Sequence, residues 1–246
     1  MFQTLFTQPL YNGFIYLIGV IPGGDVGFAI IALTCIVRFI FYPIFASQIR
    51  TTMVMQSIQG ELEEIKQRYK TDQLEQSKHM LELYKKYKVN PFSLILSLLI
   101  QIPIFIALYF AFFHTKLPTI DPTLLYPFVP MPDIVNILFL GFLDLGLSNN
   151  LIIVVVATAL QFLVIYLTLA RTKKHTPKNL PEEKLLALKM QQNIMLYVMP
   201  GLIAVITYTT PAAVGLYFAA SSLISLGQEW LIRRQLDAEA AKKASK

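Results

Sequence analysis

The sequence predicts an all-α, polytopic membrane protein. Five transmembrane helices surround a hydrophilic groove, with a cytoplasmic helical hairpin and an outer interfacial helix. Three observations carry this. First, 55% of the 246 residues are hydrophobic and 15% charged, where a soluble domain has roughly 25% charged. Second, five apolar windows of near-spanning length stand out: residues 26–46, 92–113, 151–170, 194–209 and 212–232. Third, basic residues alternate between connections. Of the 21 Lys and Arg, eight lie in 48–90, six in 171–190 and five in the tail. The intervening connections carry Asp25, Asp121, Asp133 and Asp144 against Lys116 alone. The positive-inside rule then places the N-terminus outside and the C-terminus in the cytoplasm, as a multi-pass protein of the plasma membrane. Backbone in lipid must satisfy its own hydrogen bonds, so 1–246 reads as one helical bundle.

Residues 2–21 mix Phe, Leu, Tyr and Ile with Gln, Thr and Asn and carry no charge. They read as a helix lying in the outer interface. With no basic start before an apolar core, the stretch does not read as a cleaved signal. Pro22-Gly23-Gly24-Asp25 turns the chain into the first span. Pro43 inside that span should bend it by freeing the carbonyl of Phe39. Residues 56–88 are polar with two apolar stripes. Ile58, Leu62, Ile65 and Tyr69 form one, and Leu74, Leu81, Tyr84 and Tyr87 the other, with a break at Thr71-Asp72. This predicts an antiparallel hairpin in the cytoplasm, with Leu62 and Tyr84 as candidate contacts for a substrate or targeting partner. The second span carries Ser93, Ser97 and Gln101 in one stripe. Residues 134–147 are apolar but too short for a confident span, and read as interfacial or re-entrant. The third span carries Thr158, Gln161 and Thr168, and the fourth a Pro200-Gly201 kink. The fifth carries Ser221, Ser225 and Gln228 on one face and ends at Trp230 and Arg233-Arg234. The basic tail is 233–246, and its end DAEAAKKASK (237–246) reads as disordered.

The first span holds one charge, Arg38, about 3 Å from its middle at helical rise. A central arginine costs about 3 kcal/mol on insertion scales and cannot neutralise itself. No carboxylate falls within the middle of any span. Water and neutral polar groups must therefore solvate Arg38. Thr34 lies one turn before it, and Gln101, Thr158, Gln161, Ser221 and Ser225 sit on stripes that can converge on it. Taken singly, Ser93, Ser97, Ser221 and Ser225 read as close-packing positions ahead of functional ones; Gln101 and Gln161 are costlier to bury and point to the cavity. A hydrated, positively charged cavity follows. The three histidines are scattered and the one cysteine, Cys35, has no partner. No metal cluster, nucleophile elbow or phosphate loop is present in the sequence, so no cofactor and no enzymatic role are expected.

Several stretches also resemble the YidC family of membrane protein insertases. They are GFAIIALTCIVRFIFYP around Arg38, LYKKYKVNPF at 83–92, LIQIPIFIALYFAF at 99–112, MLYVMPGLIAVITYTTPAAVGLYF at 195–218 and LISLGQ at 223–228. The resemblance implies a groove open to cytoplasm and lipid but closed outside, with Arg38 as its cation and Gln161 as a polar groove residue. It places Phe218 where the family often has Trp, and Ser222 where it often has Asn. It implies insertion and folding of nascent membrane proteins without ATP. The partners would be those substrates and membrane lipids, with the secretion channel, the ribosome and a targeting receptor as further candidates. No nucleic acid would be bound beyond ribosome contact, and the large periplasmic domain of some members is not expected. The rival reading is a small transporter with Arg38 as counter-ion for an anionic solute. It would call for inverted repeats, which the sequence does not show.

Overall fold

The computed structural model describes residues 7–90, 99, 102–106, 109–110, 117–172, 186, 189–190 and 192–244. Helix α1 (Gln8–Val20) starts with proline in its first turn and packs Tyr11, Phe14, Ile15 and Ile18 inward. Asn12 ties it to the 117–150 connection. Its amide donates to the carbonyls of Gln8 and Leu124, and its oxygen accepts from the Tyr126 N–H at 2.7 Å. Asp25 caps α2 (Val26–Ile40) by accepting from the N–H groups of Gly27 and Phe28.

The first span is not one helix. At Phe41 the backbone leaves helical geometry and the chain turns by 71° into α3 (Tyr42–Ser57). Pro43, in the first turn of α3, cannot donate to Phe39, as expected, but the result is a break rather than a bend. Arg38 consequently sits in the last turn of a 15-residue helix and not in the middle of one continuous helix.

The hairpin forms from α4 (Gln59–Arg68) and α5 (Gln73–Lys86), the latter capped by Asp72. It closes around Ile58, Leu62 and Leu83, with Val54 and Met55 of α3, Ile65, Met80, Tyr84 and Tyr87 packed beside them. The second stripe differs from expectation. Leu74 and Leu81 are exposed, and Met80 and Leu83 take the inward positions because the packing face of α5 is rotated.

Residues 134–147 are neither a helix nor an irregular loop. Strands β1 (Leu138–Phe139) and β2 (Leu143–Asp144) pair antiparallel, in the register Leu138 with Asp144 and Phe139 with Leu143. Leu140 (φ 55) and Gly141 (φ 80) form the turn, both in the left-handed region that a tight hairpin requires. Phe139 lies against the start of α2, where a Cβ on Gly27 would collide with its ring. Among the described residues the named elements are helical apart from this small ribbon, and an isolated bridge joins Asp25 to Asn136.

Helix α6 (Leu151–Thr172) follows. A π-helical turn at Ile194–Val198 leads into α7 (Met199–Thr209). That turn seats Pro200 just inside the new helix start. Helix α8 runs unbroken from Ala212 to Ala244 over 33 residues. The expected disordered tail is helical because DAEAAKKA is rich in strong helix formers. Helix α8 packs mainly against α6 and α2, and α6 also against α7.

The main core gathers at one end. It joins α1, the first half of α2, the 117–150 connection and the start of α8 through Ile18, Ile30, Leu145, Ala213 and Tyr217. Beyond Val37 the flank of α2 opens: Phe39 is 82% and Ile40 62% exposed. Among the described residues one helix, Leu151–Ala170, is long and apolar enough alone to cross a membrane, and the bent α2–α3 pair would be a second. Only 17% of the apolar window of α6 is buried. So large an exposed apolar face calls for lipid or another apolar surface against it.

Candidate functional site

Arg38 is half-buried where α2, α3, α6 and α8 meet. Its Nη2 donates to Ser221 Oγ at 2.6 Å and to the Ser221 carbonyl at 3.3 Å. Its Nη1 donates to Gln228 Oε1 at 3.3 Å. Gln228 Nε2 in turn donates to the Arg38 carbonyl at 3.4 Å. That carbonyl lies in the last turn of α2, where the broken helix runs out of backbone donors. One amide therefore grips both ends of Arg38. The Phe45 ring lies flat beneath the guanidinium, with Cζ 4.3 Å from its centroid. All these partners are neutral. Among the described residues no carboxylate pairs with Arg38, and the five N–H groups of a guanidinium exceed the acceptors found.

Two cavities lined by described residues adjoin the cation. One, of ≈ 240 Å³, is lined by Gln161, Phe218, Ser221, Ser222 and Ser225. The other, of ≈ 180 Å³, lies toward α3 and is lined by Phe45, Gln48, Thr52, Thr168, Glu229 and Arg233, with Ser225 shared between the two. Polar lining and room on this scale suit water. Glu229 is 8% exposed and is held by its own helix, accepting from Arg233 Nε at 2.9 Å and Nη2 at 2.5 Å. The second cavity thus carries a deep cation, an acid engaged with a rim cation, and no anion on Arg38.

The expected residues divide. Ser221 touches Arg38 directly, while Ser225, Gln161 and Phe218 line the cavities. Gln161 accepts from Ser222 Oγ at 3.0 Å, so serine at that position still finds the polar partner across α6 and α8. Thr34 is not a solvating group: it is buried and donates to the Ile30 carbonyl one turn back. Thr158 lines neither cavity, and its buried hydroxyl has no hydrogen-bond partner among the described residues. Gln101, with Ser93 and Ser97, lies outside the described residues. Leu62 is inside the hairpin core at 7% exposure, so it offers no contact surface, whereas Tyr84 is half-buried at the edge of that core.

Gln228 and Ser222 were named in the sequence, on the polar face of the fifth span and by the family resemblance, whereas Phe45 and the Glu229–Arg233 pair were not picked out. Gln228 carried a signal, since it falls seven residues after Ser221 on the same helix face. Phe45 carried none, because the break at Phe41 decides where α3 points.

A half-buried arginine held by neutral protein groups beside polar cavities, on helices whose apolar faces stand uncovered, marks a mostly helical membrane protein with a cationic, polar-lined site. Its lineage agrees. The chain belongs to the 60Kd inner membrane protein family, the YidC family, whose model matches residues 18–240. Similar curated proteins include two named membrane protein insertase YidC, from Francisella tularensis subsp. novicida (strain U112) and subsp. tularensis (strain WY96-3418). Each is 30% identical over 215 residues, covering 87% of this chain. The match covers 34% of the length of each relative.

Proposed function

We propose that this chain is an insertase for newly made membrane proteins and also aids their folding. Five spans enclose a groove that opens to the cytoplasm and to lipid, with the N-terminus outside and the hairpin and C-terminus inside. The observation that carries the reading is Arg38: a cation held by neutral oxygens beside polar cavities, with donors to spare. The dense core at the opposite end of the bundle supports a groove closed on the outside. A hydrophilic segment bound for the outside, commonly acidic, enters from the cytoplasm and exchanges groove water for Arg38. The cation lowers the cost of holding a carboxylate at bilayer depth. The substrate's apolar segment leaves sideways into lipid. Its burial, with about 2.3 kcal/mol per charge per 100 mV of membrane potential, drives release.

Glu229 and Arg233 fit the entrance role. Arg233 offers a first cation, and Glu229 occupies it until a substrate carboxylate competes. Nascent chains and lipid are the partners this requires. The ribosome, a targeting receptor and the secretion channel would meet the hairpin and the α8 extension.

The test is insertion into proteoliposomes of one small substrate carrying acidic or neutral outside tails. Arg38→Lys keeps the charge but loses the planar fork, and should keep most activity. Arg38→Ala should lose most for acidic tails and least for neutral ones, with protein level unchanged. Equal loss across the tails would overturn the electrostatic role. Saturable uptake of an anionic solute without insertion would favour the transporter instead.

A further inference from the structure

Helix α3 presents a second lined face. Phe45, Gln48 and Thr52 look toward Arg38, while Tyr42, Ser47 and Arg50 line a separate cavity of ≈ 360 Å³. Lys88, at the exit of the hairpin, and Gln235, on the extended part of α8, complete its walls. Arg50 and Lys88 are the cations among its described lining residues.

The cavity is built from elements tied to one another. Lys88 takes a left-handed conformation (φ 53) at the end of α5. Its N–H donates to Lys85 O at 3.1 Å and that of Val89 to Tyr84 O at 3.0 Å. Glycine is the usual residue in such a cap. A lysine there starts its side chain from a fixed backbone point. Thr51 Oγ1 donates to the Asn90 carbonyl at 3.4 Å and joins the hairpin exit to α3. Tyr42, Ser47 and Gln235 add hydroxyl and amide donors.

Next to the cavity along the chain is the apolar end of α2. Phe39, Ile40 and Phe41 are all exposed and immediately precede Tyr42 and Pro43 in its wall. A cationic, donor-rich cavity beside exposed apolar side chains matches an amphiphile with an anionic head. We propose that this cavity binds the phosphate of an anionic phospholipid, with the acyl chains along Phe39 and Ile40. The lipid would fasten the bend, the hairpin and the α8 extension to the membrane surface. The site goes beyond the insertase reading and needs only that α2 lies in a membrane. A soluble phosphate ester shares the head chemistry, and the experiment separates the two.

The full chain is purified in neutral detergent and examined by native mass spectrometry with dioleoylphosphatidylglycerol or dioleoylphosphatidylcholine. The wild type should retain the phosphatidylglycerol preferentially. Arg50→Gln and Lys88→Gly should each weaken that preference about fivefold, and together about 25-fold. Lys88→Gly suits the left-handed backbone, so its effect is not one of misfolding. Lys78→Gln, at an exposed hairpin position, should leave the preference intact. Equal retention of both lipids by the wild type, or an undiminished preference in the double variant, overturns the site. Glycerol 3-phosphate is added as a competitor at matched concentration. Failure to displace the lipid supports the phospholipid assignment, and displacement reassigns the cavity to a soluble phosphate ester.

Discussion

Gln228→Glu separates the electrostatic role of Arg38 from a structural one. The two side chains have the same shape, so the packing of α8 on α2 is kept. The change puts an anion where a neutral oxygen now accepts from Arg38 Nη1 at 3.3 Å. It also deletes the long bond from Gln228 Nε2 to the Arg38 carbonyl, worth less than about 1 kcal/mol. The new ion pair gains between about 1 kcal/mol in a water-like cavity and about 4 kcal/mol at the dielectric of a protein surface. The fold is therefore not weakened. A substrate carboxylate must displace that internal partner, so engagement of acidic tails should fall between about fivefold and about a thousandfold. The assay is proteoliposome insertion of one substrate with acidic and neutral tails, with thermal unfolding followed in parallel. Acidic tails should fail while neutral tails insert and the melting temperature holds. Undiminished insertion of acidic tails by a folded variant would refute the reasoning, and so would equal loss for both tails.

Three further outcomes follow from the packing and the ionisable groups. Gly27→Ala drives a methyl into the ring of Phe139, and should cost about 1–3 kcal/mol, read as a lower unfolding temperature. Leu62→Ala empties the centre of the hairpin core and should cost about 2 kcal/mol or more there, while Leu74→Ala at 80% exposure should be close to neutral; limited proteolysis of the hairpin distinguishes them. Hairpin protection should also depend on pH. The Tyr87 hydroxyl and then the Lys86 ammonium hold the Glu61 carboxyl below its ordinary 4.5, and the Glu61 carboxylate holds Tyr87 above 10.0. A lowered acid pKa stabilises above its unfolded value and is lost as pH falls through the folded one. A raised Tyr pKa stabilises below 10.0 and is lost as pH rises beyond it. Protection factors in 59–87, with hydrogen exchange corrected for its intrinsic pH dependence, should therefore be highest between those limits and fall on both sides.

Much of the fold was legible because its signals are local. Pro22-Gly23-Gly24-Asp25 reads as a turn and Thr71-Asp72 as a break, and at those points Asp25 and Asp72 cap α2 and α5. Four of the five apolar windows reappear, as α2, α6, α7 and the first two-thirds of α8, while 92–113 falls largely outside the described residues. Signals that depend on a partner were not legible. Leu81 and Leu83 are equally apolar, and only the rotation of α5 against α4 decides that Leu83 turns in. In 134–147 the strand pairing rests on a left-handed Leu140, a conformation rarely read from a leucine. At the site, Ser221 and Gln228 share a readable helix face, but Thr34 shares a face with Arg38 and still spends its hydroxyl on its own backbone. Spacing gives proximity; it does not decide which acceptor a hydroxyl chooses.

Arg38 and Pro43 read in the sequence as two separate oddities of one span, and the structure makes them one device. An arginine in mid-helix would have lipid or packed side chains around it. Pro43 and the break at Phe41 place it instead at a helix end, where backbone carbonyls run out of donors. The 71° turn also sends α3 away across the end of α2 and not onward along its axis. That swing brings Phe45 under the guanidinium and opens the ≈ 180 Å³ cavity between α3, α6 and α8. Gln228 then meets the two needs the break creates, an acceptor for the cation and a donor for its carbonyl. Removing the proline should thus act on the charge as well as on the helix. Pro43→Ala restores the N–H that Phe39 lacks, favours a straighter α2–α3, and withdraws Phe45 from Arg38. Reactivity of a cysteine placed at Gln48 toward a soluble thiol reagent reports the cavity. It should fall in Pro43→Ala if the break holds the cavity open, and an unchanged rate would show that α8 and Gln228 hold the bend without the proline.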